Sequence, residues 1–354
     1  VEGESAASFS GLAREVLLAV AMISLLVGGL WLHTGTMPPL VVVESSSMVH
    51  DANGEIGSID AGDLILVHGR NPAGVITFAE ATDPTHPAYG HQSHGLGGDV
   101  VIYAKNGEEG TPIIHRAILR VLANTTTTPD RAALAAAGHV TDEPFTKEPG
   151  DGFACPDGGV WDPTLTDAGD GAPGTCILTW DVPGTDVLDQ PTITVVFDGQ
   201  SAGYYDCKRS AHANAEPHLV VHEWAPSHEG LLTLGDNNFC SVDQGSGATN
   251  GSTGVQGATG LVHAVRTDWI VGRAGAELPW LGVVKLMLAS SGPGTQYVPR
   301  SAFVGVASIV AVVLALPMVI DPMFRRLIER APEAEEAERE RAMDLVLKAI
   351  REDE

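Results

Sequence analysis

Two uncharged apolar stretches frame this chain and limit what lies between them. Val16 to Leu32 is 17 residues without a charge, and Arg14 precedes it. Ala302 to Ile320 is 19 uncharged residues, and Arg325, Arg326 and Arg330 follow it. Both lengths suit a helix crossing a bilayer, the first at the short end. The basic residues flank the outer ends of the pair. That asymmetry predicts cytoplasmic termini and an extracellular region from about His33 to Arg300. A cleavable secretory signal is the other reading of the first stretch, but its apolar region is long for one. A buried core helix is the other reading of the second, but the flanking arginines favour lipid. Pro317 is tolerated in a membrane helix.

The outer region is turn-rich. Short apolar runs recur at Leu40–Val43, Asp63–Val67, Asp99–Tyr103, Ile113–Ile114 and Ala117–Leu122 (a pair of strand segments around His115), Thr192–Phe197, His218–His222, Leu231–Leu234, Leu261–Val265 and Trp269–Val271. Gly, Asp and Pro separate them. This pattern predicts a mostly β, antiparallel domain between two transmembrane helices. The expected organisation is a cytoplasmic N-terminus (1–14), a transmembrane helix (15–33), a β domain in two parts (34–123 and 216–300), an inserted lobe (124–215), a second transmembrane helix (301–321) and a charged cytoplasmic tail (322–354). The lobe is inferred because a compact fold rarely needs so long a loop. It includes a short helix expected at Asp130–Ala137. In the tail, Met343, Leu345, Val346 and Ile350 form one apolar side of a short helix, or the tail is simply solvated.

Charge and cysteine use narrow the class. Asp and Glu total 45 against 20 Lys and Arg, a formal net charge of -25. Such a surface argues against nucleic acid as a partner, since phosphate binding wants clustered Lys and Arg. An acidic, lysine-poor surface of this kind is similar to those of proteins from halophilic archaea. Cys155, Cys176, Cys207 and Cys240 all fall in the predicted outer region, where disulfides form. Four cysteines allow three connectivities. Pairing Cys207 with Cys240 would tie the lobe to the acidic segment at 235–243, and pairing Cys155 with Cys176 would close a loop within the lobe. Their spacings do not match a zinc knuckle. His86, His91 and His94 lie in a polar stretch that explains them without a metal. Asn124-Thr-Thr and Asn250-Gly-Ser are glycosylation acceptor patterns on the predicted outer side.

Three separated segments carry the chemistry. Acyl transfer needs a nucleophile, a base, an orienter for the base and donors for the oxyanion. Ser47, in Ser45-Ser-Ser-Met48, is the candidate nucleophile, although such a cluster alone is more often a turn or cap. His115, in Thr111-Pro-Ile-Ile-His-Arg116, is the candidate base, since a neutral imidazole accepts a serine proton near neutrality. Asp236 and Asp243, in Gly235-Asp-Asn-Asn-Phe-Cys-Ser-Val-Asp243, are the candidate orienters, and either one fits.

Together these segments resemble the boxes of type I signal peptidases, in the archaeal and endoplasmic-reticulum branch that uses histidine as the base. Pro39 to Met48 is similar to the nucleophile box, and Ser45 falls where that family can hold a side-chain oxyanion donor. Gly62–Val67 and Gly98–Tyr103 resemble its two strands led by Gly-Asp, and Pro112–Arg116 its base box. Gly235–Asn238 with Asp243 resembles its acidic box, and Trp269–Ala274 with Leu278–Gly282 the return toward the membrane. The chain departs from the pattern in three ways. His50 stands where the family has Pro, Leu234 where it often has Lys, and the two acids are seven apart rather than six.

The resemblance implies a signal-peptidase-like β domain and a membrane serine endopeptidase. Its activity would remove signal peptides from exported preproteins after small residues. Ser47 would be the nucleophile, His115 the base, Asp243 the orienter, Asp236 a supporting acid and Ser45 an oxyanion donor. No metal or organic cofactor is implied. The implied partners are preproteins, the lipid bilayer of the cell membrane and the secretion channel. The substrate would add as an extended strand, with Val41–Glu44 and Val100–Tyr103 as the expected edges. A surface binding or structural protein with a degenerate peptidase domain is the competing reading, favoured by His50 and the acidic spacing. A small-molecule serine hydrolase is disfavoured because no Gly-x-Ser-x-Gly elbow surrounds Ser47.

Overall fold

The computed structural model describes residues 2–69, 71–123, 160–162, 175–177, 180–190, 192–208, 217–224, 226, 228–245, 256–257, 260–289, 294–329, 336, 339–343, 345 and 348. The Asp130–Ala137 helix, both glycosylation patterns and Cys155 lie outside them. The chain divides into two units, Val1–Arg300 and Ser301–Glu354.

The first unit opens with helix α1 (Glu2–Thr34), whose span Val16–Thr34 is long and apolar enough to cross a membrane. Strand β1 (Leu40–Val42) follows and pairs with β2 (Leu64–His68). Helix α2 (Phe78–Thr82) starts at a capping box: the Thr77 hydroxyl accepts from the Glu80 N–H, and the Glu80 carboxylate accepts from the Thr77 N–H. A small hairpin joins β3 (Gln92–Ser93) to β4 (Leu96–Gly97), ahead of β5 (Val100–Tyr103) and the long β6 (Ile113–Ala123). Then come β7 (Val160–Asp162), β8 (Thr175–Ile177), β9 (Trp180–Asp181), β10 (Ile193–Val196), β11 (Val220–Trp224) and β12 (Gly230–Leu234). A hairpin of β13 (Gln256–Gly257) and β14 (Gly260–Leu261) leads to β15 (Ile270–Leu278) and helix α3 (Val283–Leu288).

One antiparallel sheet organises this unit, in the order β1-β2-β15-β5-β6-β12, with β9 added on the end of β6. Turn chemistry explains where its strands start. The Asp63 carboxylate accepts the N–H groups of Asp60 and Trp280, both at 2.9 Å. The Asp99 carboxylate accepts the Ile76 N–H at 2.9 Å. Each Gly-Asp pair therefore ties a strand entrance to a neighbouring loop.

Trp180 and Asp181, expected within the inserted lobe, join this sheet as β9, while β10 pairs with β11 in a separate two-stranded sheet; the described residues of 180–208 also contribute to the core. Trp180, Ile193, Phe197 and Tyr205 pack with Phe78, Leu119, Leu232 and Leu234 in one buried cluster. Cys207 and Cys240 form a disulfide, so this segment is covalently tied to the acidic segment. A second cluster behind β1 holds Val43, Met48, Ile59, Ile65 and Val100.

The second unit begins with most of helix α4 (Arg300–Glu329), whose Arg300–Met318 portion also meets the length and composition for crossing a membrane. Pro317 and Pro322 lie inside it. Of the expected tail helix, residues 339–343 are helical.

Candidate active site

Local sequence dictates how β6 distributes its side chains. Successive residues on a strand face opposite sides. His115 and Arg116 are neighbours, so they point apart, and the segment after β12 delivers one acid to each side.

On the His115 side, Nδ1 lies 2.7 Å from Asp243 Oδ2. The same carboxylate oxygen accepts from the Tyr103 hydroxyl and the Thr233 hydroxyl, each at 2.7 Å. A carboxylate only accepts, so Nδ1 must carry the proton and Nε2 of the neutral ring is an acceptor. A register shift between Leu232 and Thr233 in the β12–β6 ladder re-aims this part of β12, as bulges do. Burial, reinforced by the Asp243 charge, raises the Tyr103 hydroxyl well above its ordinary pKa, which keeps it a donor. Asp243 Oδ1 is buried with no hydrogen-bond partner, so its donors concentrate on one oxygen.

On the Arg116 side, Asp236 accepts from Nε at 2.9 Å and from Nη2 at 2.7 Å. Both side chains are fully buried. Burial alone would weaken the guanidinium charge, but the Asp236 charge and hydrogen bonds outweigh it and leave the Arg116 pKa raised. Arg116 Nη1 also donates to the carbonyls of Ser93 and Gly98, both at 2.9 Å, pinning the β3–β4 hairpin. Asp236 takes further bonds from the Tyr205 hydroxyl and from His50 Nε2, both at 2.9 Å. It has no described bond to His115.

The serine turn docks on this same loop. The Asn237 N–H donates to the Ser47 carbonyl at 2.7 Å, and Asn237 Nδ2 donates to the Ser46 carbonyl at 2.8 Å. Met48 is buried in the cluster behind β1, which fixes the chain just past Ser47. Ser45 Oγ and Ser47 Oγ are 3.2 Å apart and share a hydrogen bond. Gly235 is glycine because of close approach: a Cβ there would sit 2.8 Å from both His115 Nε2 and the Ser47 carbonyl oxygen. The imidazole face that lacks the Asp243 bond is therefore beside the serine turn.

Ser45, Ser47, His115 and Asn238 line one cavity of ≈ 470 Å³, with Val42 and Ile114 among its walls. Strand edges frame it. β1 pairs with β2 alone, and Val43 and Pro39 bond toward β2, so the Val42 N–H and C=O face outward. β12 pairs with β6 only from Arg116 onward, which leaves the Ile114 N–H and C=O unpaired by any described strand. The expected edge at Val100–Tyr103 is corrected by this topology. That strand is central, with β15 on one side and β6 on the other, and all four residues are buried.

The sequence reading missed Tyr103, Thr233 and Asn237, and it noted His50 only as a departure. Tyr103 and Thr233 carry no local signal, because their role arises from pairing across the sheet. Asn237 sits inside the Gly-Asp-Asn-Asn motif, whose usual meaning is a turn, so its grip on the serine carbonyls has no separate sequence signal. The three histidines have separate surroundings: His91 bonds Asp99 at 2.8 Å, His86 lies 4.0 Å from Glu80, and burial followed by the Arg116 charge lowers the His94 pKa. Among the described residues no three His, Cys, Asp or Glu side chains are grouped to hold a metal. Comparison with protein-family models, with curated proteins and with solved structures finds no match.

Proposed function

We propose that this chain is a membrane-bound serine endopeptidase that removes signal peptides from exported preproteins after small residues. The observation that carries the reading is the His115–Asp243 pair at 2.7 Å, with the other imidazole nitrogen beside the Ser47 turn in a shared cavity. The mechanism requires Ser47 Oγ to exchange its hydrogen bond with Ser45 for one to His115 Nε2. Oγ then attacks the scissile carbonyl while Nε2 takes its proton. The Ser47 N–H and the Ser45 hydroxyl stabilise the oxyanion, at typically a few kcal/mol per donor. The imidazolium, held by Asp243, returns the proton to the leaving amine. The same nitrogen then activates water, which releases the acyl group and regenerates Ser47.

The open Val42 and Ile114 edges support an extended peptide as substrate, since each offers a free backbone donor and acceptor across the cavity. The two apolar spans and their flanking arginines support a multi-pass anchor in the cell membrane with the sheet unit outside. A substrate whose apolar segment is still in lipid would then reach the cavity. The bilayer and the secretion channel are the partners this arrangement implies.

The test is cleavage of a preprotein by the purified full chain in lipid vesicles. Ser47→Ala should lose at least about a thousandfold in rate while still inserting into the vesicles. Cleavage by S47A at the wild-type rate would refute the serine mechanism. No cleavage by wild type, with intact insertion, would favour the binding-protein reading.

A further inference from the structure

His50 lies two residues past Met48, on the turn that carries Ser47. Its Nε2–H donates to Asp236 Oδ2 at 2.9 Å, and its side chain is 17% exposed while that of Asp236 is fully buried. The other side chains described on Asp236, Arg116 and Tyr205, come from β6 and from the stretch before Cys207. His50 alone among these three belongs to the serine turn. Asn237, the neighbour of Asp236, holds the Ser46 and Ser47 carbonyls. The turn is thus fastened to one loop on either side of Met48, and the Asp236 N–H also donates to Met48 Sδ at 3.5 Å. The far face of the imidazole is also constrained. Gly95 backs onto it so closely that a Cβ there would lie 3.3 Å from His50 Cε1 and Nδ1.

We propose that His50 is a positioning residue for Ser47: its bond to Asp236 locks the 47–50 turn onto the 235–238 loop and keeps the serine hydroxyl within reach of His115. The inference rests on the peptidase reading of Ser47 and His115. Ser47 belongs to no strand or helix and is held by a turn alone, so its aim depends on such fastenings. Reactivity falls steeply when reacting atoms drift from an attack geometry, whereas the main-chain groups of the Val42 and Ile114 edges lie outside this turn. Loss of the bond therefore acts on kcat and leaves KM nearly unchanged.

Side-chain reach gives the discriminating variants. Gln carries an amide nitrogen at a distance from the backbone similar to His Nε2, whereas Asn is too short. Steady-state kinetics on a preprotein-derived peptide, with the full chain in detergent, should show kcat reduced roughly 10- to 100-fold in His50→Ala and His50→Asn, with KM within about threefold of wild type. His50→Gln should recover kcat to within about fivefold of wild type. Wild-type kcat in H50A, an equal loss in H50Q and H50N, or a loss confined to KM would overturn the proposal. Wild type and S47A run alongside separate the two levels. If wild type does not cleave through Ser47, the peptidase reading fails and this inference with it. If it does and H50A matches it, only the inference fails.

Discussion

Asp243→Asn isolates the charge that would stabilise an imidazolium at His115. Three donors converge on Asp243 Oδ2: His115 Nδ1, the Tyr103 hydroxyl and the Thr233 hydroxyl, all at 2.7 Å. An Asn side chain satisfies them best with its carbonyl oxygen in that place, because the amide group would face three donors. The His115 tautomer is then preserved, and the change removes charge rather than orientation. Unit charges about 4 Å apart interact by about 4 kcal/mol at an effective dielectric of about 20. The Asn dipole retains part of this, so the expected loss is about 3–4 kcal/mol, or roughly 10²- to 10³-fold in kcat. That is less than the roughly 10⁴-fold loss known where the same change also flips the tautomer. The assay is kcat and KM on a peptide with small residues at the cut, with thermal unfolding as a check on folding. Activity within tenfold of wild type would refute the role given to Asp243. A 10⁴-fold loss would refute the reasoning about the tautomer.

Two further outcomes follow from the remaining carboxylates. Asp236→Asn leaves the fully buried Arg116 without its counter-charge, a situation that typically costs about 3–5 kcal/mol, so thermal or denaturant unfolding should shift far more than for D243N; equal stabilities of the two variants would contradict this division. Asp60 is pushed up to about 6 by burial, with the Asp63 charge adding to it and the Glu55 N–H and His50 working against it; Glu277 faces the same cluster and is itself raised by burial and by both Asp charges. A raised carboxyl favours its neutral form in the fold, so the stability it allows is present below about pH 4 and lost as pH rises through about 6. Asp60→Asn should therefore gain on the order of 2 kcal/mol over wild type above about pH 7 and nothing near pH 4, read as melting temperature against pH; a gap that does not change with pH would refute this.

The parts legible in the sequence are those that local chemistry dictates. Asp63 and Asp99 announce strand entrances because short carboxylates accept nearby backbone N–H groups, and the structure uses both in that way. The helices at 16–34 and 300–318 follow from apolar length alone. Spacing could not assign Asp236 and Asp243, because both lie in one loop and their separation says nothing about which side of β6 each reaches. The deciding fact is that His115 and Arg116 are adjacent on that strand. Membership of residues 180–208 in the main core was equally hidden. Trp180 and Phe197 meet Phe78 and Leu119 only through long-range packing, and composition makes the whole 124–215 stretch look like one separate lobe.

The gap between β1 and β6 bears most directly on what kind of substrate fits. A sheet edge with free N–H and C=O groups normally invites another strand, and proteins usually blunt or cover it. Here two such edges, at Val42 and Ile114, line one cavity, and the 235–238 loop fastens the serine turn beside it. A compact small molecule would satisfy neither edge, whereas an extended peptide satisfies both with main-chain groups that every sequence carries. Selectivity then falls to the side chains that point into the walls formed by Val43, Met48, Ile113 and Tyr297. Under the proposed peptidase reading, recognition of backbone along the edges would let one site act on many different precursors, and the open Ile114 edge on which that depends follows from β12 ending its pairing at Arg116, one residue beyond His115.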